Sequence, residues 1–78
     1  MAARNEWTFQ VGGMSCMHCA RAVDDALGEV PGVERSKTDH AAGRSVVVAD
    51  GDTDAAALVA AIEDAGYKVL ARGSKPLA

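Results

Sequence analysis

Aromatic residues are scarce in this 78-residue chain: Trp7, Phe9 and Tyr67 are all it has. The core must be built from Val, Leu, Ile and Ala. A domain of this size buries only about 60% of the surface its unfolded chain exposes. The chain is therefore one domain, spanning 1–78, with no room for a cavity that could enclose a substrate. Basic excess is also missing. Eight Lys and Arg stand against 11 Asp and Glu, a formal charge of −3, so the basic stripe of a nucleic-acid binder is absent and no nucleic-acid partner is expected. No apolar run approaches the roughly 18 residues of a membrane span, so no membrane insertion is expected. The stretch Met1-Ala2-Ala3-Arg4-Asn5-Glu6 lacks the apolar core of a signal peptide. A soluble, cytoplasmic chain is the expectation. Cysteines number two, Cys16 and Cys19, and prolines two, Pro31 and Pro76.

What is there reads as six short elements. Trp7, Phe9 and Val11 alternate with Glu6, Thr8 and Gln10, which predicts a half-buried strand over 6–12 ended by Gly12-Gly13. Residues 17–29 read as a helix. Ala20, Val23 and Leu27 share one face, while His18, Arg21, Asp25 and Glu29 share the other. Ser15 is placed to cap the start, and Pro31-Gly32 stops the chain. The polar run 33–39 predicts an edge strand, because charged side chains keep edges from pairing with other chains. Ala41-Ala42-Gly43 is a turn, and the β-branched run 44–49 closes a hairpin. A second helix runs from a cap at Thr53 or Asp54 to Ala65, with Gly66 closing it. A last strand covers 67–72, and 73–78 reads as a flexible tail. The order β-α-β-β-α-β predicts a ferredoxin-like sandwich: a four-stranded antiparallel sheet with two helices on one face, its core about residues 6–72.

Acidic residues gather in the helical segments. Asp50, Asp52, Asp54, Glu63 and Asp64 have no base among residues 50–64, and Asp24, Asp25 and Glu29 face only Arg21 in residues 17–30. Their plain reading is a solvated face.

The two cysteines carry the chemistry. They lie in Gly13-Met14-Ser15-Cys16-Met17-His18-Cys19, between a strand and a helix. At a helix entry, sulfurs three positions apart can converge on one atom. The unpaired N–H groups and the positive end of the helix dipole favour thiolate, the metal-binding form. Two soft ligands with no carboxylate beside them suit copper(I), whereas zinc prefers four ligands in a tetrahedron. The same pair also fits thiol–disulfide exchange. Met17 fits either core packing or an exposed apolar docking patch.

The run Gly13 to Cys19, followed by an amphipathic helix, resembles the metal-binding loop of heavy-metal-associated domains. These are the small copper chaperones and the N-terminal modules of copper-transporting P-type ATPases. The run Ala61-Ile62-Glu63-Asp64-Ala65-Gly66-Tyr67 is similar to the second helix and following loop of that family. The likeness covers roughly residues 8–72. It implies that Cys16 and Cys19 bind the metal. Met14 would pack beneath the loop without ligating. Tyr67 would face the metal. His18, by its place on the polar helical stripe, reads as a solvated residue that tunes local charge in preference to a metal ligand, though it could be recruited if two chains share a metal. Ser15 stands where zinc- and cadmium-selective relatives often carry an acidic residue, which favours copper(I), with silver(I) able to substitute.

The resemblance implies a non-enzymatic metallochaperone that passes copper(I) by thiolate exchange to a copper-transporting P-type ATPase or its metal-binding domains. A metal-bridged homodimer is a further expectation, since each chain supplies two sulfurs. Alternatives are a regulatory module of such an ATPase and a small thiol–disulfide oxidoreductase. Against the latter, Ser15 stands where the thioredoxin type has Trp, and neither Pro31 nor Pro76 is placed opposite the cysteines. One departure from the family is the polar second strand, with Ser36, Lys37, Thr38 and Asp39.

Overall fold

Period-two alternation in the first strand survives in the computed structural model, which describes residues 4–14 and 16–76. The strands are β1 (Arg4–Gly12), β2 (Val33–Asp39), β3 (Arg44–Asp50) and β4 (Lys68–Pro76). The helices are α1 (Met17–Gly28) and α2 (Ala55–Asp64). The sheet order is β2-β3-β1-β4, with every neighbouring pair antiparallel. This is the ferredoxin-like sandwich the element order predicts, and polar β2 lies at an edge as expected.

Register decides what is buried. Trp7 pairs with Val47 and Phe9 with Ser45, so β1 and β3 present one continuous face to the helices. The helical period supplies the other layer, with Ala20, Val23 and Leu27 from α1 and Leu58 and Ile62 from α2. Phe9, Val23, Leu27, Val47, Leu58 and Ile62 are all fully buried in a single cluster. Each large side chain removed from water contributes about 1.5–3 kcal/mol. Trp7 joins from the sheet end, half-buried, its ring stacked 6.3 Å from that of Phe9.

The ends of α2 follow from local chemistry. Asp54, and not Thr53, is the N-cap: its carboxylate accepts from the Ala56 N–H at 3.0 Å. At the other end Gly66 takes φ 98°. Its N–H donates to the Glu63 carbonyl at 2.9 Å, and that of Tyr67 to the Ile62 carbonyl at 3.3 Å. A residue with a Cβ is strained in this left-handed closure, which explains the glycine.

Two expectations are corrected. The last strand does not stop at residue 72. Gly73 to Pro76, read as tail, pair with Thr8 back to Asn5, and Lys75 forms a 3.4 Å ion pair with Glu6. These residues have weak strand propensity of their own, but the N-terminal half of β1 offers them a free ladder. Asp24, read as part of a solvated face, is half-buried and hydrogen-bonded to Ser36 and Thr38 of β2. The polar character of β2 thus has a partner on α1. The proposed cap Ser15 lies outside the described residues.

Candidate metal centre

The end of β1 and the start of α1 define the site. Gly13 turns the chain with φ 94°, a conformation that side chains with a Cβ rarely adopt. A Cβ placed there would lie 3.6 Å from the Tyr67 ring, so the turn also brings Tyr67 alongside the loop. Met14 is half-buried and packs on the core, which anchors the loop from below. Cys16 is the N-cap of α1 in extended conformation. Its carbonyl accepts from the N–H groups of Cys19, at 3.1 Å, and Ala20, at 3.4 Å. Cys19 therefore sits in the first helical turn.

The two sulfurs lie 3.5 Å apart, within hydrogen-bonding range and well beyond the roughly 2.05 Å of a disulfide. Cys16 is exposed and Cys19 partly so. The first turn of α1 carries no acidic residue, so no carboxylate competes for the positive end of the helix. At this spacing both sulfurs could reach one ion, since metal–thiolate bonds of about 2.3 Å each, as for zinc, span more than the gap between them. Among the described residues, no group of three or more His, Cys, Asp and Glu is placed to hold a metal. The candidate ligands are the two sulfurs of Cys16 and Cys19.

Tyr67 completes the surroundings. It is half-buried against the core, and its hydroxyl is hydrogen-bonded to Cys19. That bond, then desolvation, then the negative charge of the Cys19 and Cys16 thiolates, hold its pKa above the ordinary tyrosine value. Tyr67 stays a neutral phenol beside the sulfurs. His18 is exposed, as its helical stripe predicts.

Met17, which fitted either core or surface, is 68% exposed between the cysteines. Leu70 is a residue sequence reasoning missed. The β1–β4 register shifts between Gln10 and Val11, pairing them with Ala71 and Val69. Leu70 is thereby left without a ladder partner and 66% exposed, its side chain against Gly12. The unbroken apolar run Val69-Leu70-Ala71, which cannot alternate, was the available signal. Two exposed apolar side chains thus stand near the loop.

With this geometry in hand, comparison with known proteins is specific. The heavy-metal-associated domain family matches residues 8–68. The copper chaperone CopZ of Bacillus subtilis (strain 168) is 44% identical over 63 residues, which cover 80% of this chain and 91% of CopZ. Copper-transporting ATPase 2 of Rhizobium meliloti (strain 1021) is 42% identical over 59 residues. Those residues cover 76% of this chain but only 7% of the ATPase. A solved structure of the CopZ metallochaperone superposes with a TM-score of 0.79 at 36% identity, covering 83% of this chain and 98% of that one. The chain belongs to the heavy-metal-associated domain family.

Proposed function

We infer that the chain is a copper(I) metallochaperone domain that holds one ion between Cys16 and Cys19. One observation carries the reading: two cysteine sulfurs, 3.5 Å apart, at the N-terminus of a helix whose first turn carries no acidic residue, and open to solvent. Soft thiolates select copper(I), and two ligands satisfy it, whereas zinc would be left under-coordinated. Silver(I) shares the preference. The similarity to CopZ supports the same reading.

Transfer follows from exposure. A partner thiolate would add to the two-coordinate ion to give a three-sulfur bridge, one of the original sulfurs would leave, and a second partner thiolate would displace the other, so that no free ion is released. The partner is a copper-transporting P-type ATPase, through its metal-binding domains or its metal entry site, and the encounter takes place in the cytoplasm. Met14 supports the loop, Tyr67 shields the ion on one side, and Ser15 leaves the loop uncharged. His18 remains outside the coordination sphere and becomes available when two chains share a metal. The domain performs binding and exchange, with no catalysed reaction.

The match to a short part of an ATPase favours a second reading, in which the same site serves as a module of such a transporter. The mass of the polypeptide in its native cells separates the two. For the site itself, Cys16→Ala and Cys19→Ala should each abolish tight copper(I) binding in an anaerobic titration against a chelator. Retention at wild-type affinity in either variant would contradict the assignment.

A further inference from the structure

α1 meets the sheet through two unlike contacts. Ala20, Val23 and Leu27 enter the apolar core. Beside them, Asp24 reaches β2. Its Oδ1 accepts from Ser36 Oγ at 3.0 Å and from Thr38 Oγ1 at 2.6 Å, and its Oδ2 accepts from the Thr38 backbone N–H at 3.4 Å. Thr38 Oγ1 also lies 2.9 Å from the Oγ of Ser45, a fully buried residue of β3. Since the Thr38 hydroxyl has one proton and gives it to Asp24, Ser45 donates to Thr38. The result is a directed chain from Ser45 through Thr38 to the Asp24 carboxylate. Register explains the convergence: Thr38 pairs with Ser45 and Ser36 with Val47, so both hydroxyls rise on the helix side of the sheet.

The two contacts constrain α1 differently. Apolar burial is non-directional and leaves the rotation of a helix about its axis loosely set. Hydrogen bonds to one carboxylate fix that rotation, because they weaken steeply with angle. Asp24 follows Cys19 by five residues, about 7.5 Å along a rigid helix, and Cys16 caps the same helix.

We propose that Asp24 is a positioning residue: by gripping Ser36 and Thr38 it fixes the rotation of α1 and so the spacing of the Cys16 and Cys19 sulfurs. Its functional meaning rests on the copper(I) reading, while the geometric effect does not.

The test compares Asp24→Ala, Asp24→Asn and Thr38→Val with the wild type. Two quantities are recorded: the backbone amide resonances of Cys16, Cys19 and Tyr67 in the reduced, metal-free protein, and copper(I) retention against a chelator. Thr38→Val leaves the sequence of α1 untouched and decides the matter by itself if Asp24→Ala does not fold. Asp24→Ala and Thr38→Val should move the three resonances and weaken copper(I) retention by about tenfold, the lower end for residues that orient metal ligands. Asp24→Asn, which keeps an acceptor oxygen, should fall between Ala and wild type. Folded but less stable variants with wild-type resonances and retention would overturn the proposal and leave Asp24 a stabilising residue only. Shifted resonances in a protein whose wild type holds no copper(I) would uphold the positioning role and remove the copper reading instead.

Discussion

Cys16, Cys19 and Tyr67 form a small electrostatic unit at the mouth of α1. The two sulfurs lie at the positive end of the helix, and the phenol beside them is held neutral by its bond to Cys19, by desolvation and by the charge of Cys19 and Cys16. Because the folded-state pKa of Tyr67 is raised, its contribution to stability is complete below the ordinary tyrosine pKa. It is lost as pH rises through the folded value. Cys19→Ala removes the leading cause, so the phenolate absorbance of Tyr67 should appear at lower pH than in the wild type, and an unchanged titration would refute the bond. Cys16 is exposed, so Cys16→Ala should change unfolding stability by no more than about 0.5 kcal/mol in a denaturant titration. The cysteine pair was legible at once because its spacing is local. The role of Asp24 was not, since its partners lie 12 and 14 residues away and only the fold brings them together.

Elements were legible where periodicity was strong. The alternation of Trp7, Phe9 and Val11 and the stripe of Ala20, Val23 and Leu27 each forecast an element and its buried face, and the β-branched run of β3 forecast a strand. The element that ran past its forecast lacked such a pattern. Gly73 to Pro76 have no strand signal and are ordered by β1, a partner more than 60 residues earlier. Ending the chain after Arg72 should therefore destabilise the domain and speed amide exchange in Asn5 to Thr8, whereas unchanged exchange would restore the tail reading. Capping gives a second check at this scale. Asp54→Ala strips the bond to the Ala56 N–H and should cost about 1 kcal/mol of unfolding free energy, without altering metal binding at the far end of the sandwich.

For the molecule as a whole, the core and the site are separate. The buried cluster contains neither cysteine, so the domain is expected to fold without metal, unlike domains that a metal must assemble. Circular dichroism of the reduced protein should be the same with and without a chelator. That separation leaves the cysteines open to solvent, as the proposed ligand exchange with another thiolate requires. The charged helical layer can steer encounters without fixing them. All of this depends on the two-sulfur centre preferring copper(I). The most direct measurement is an anaerobic competition titration of the reduced protein with copper(I) against a strong chelator, run in parallel with zinc. The account predicts one copper(I) held per chain and weak zinc binding. Tight zinc binding, or no retention of copper(I), would contradict it.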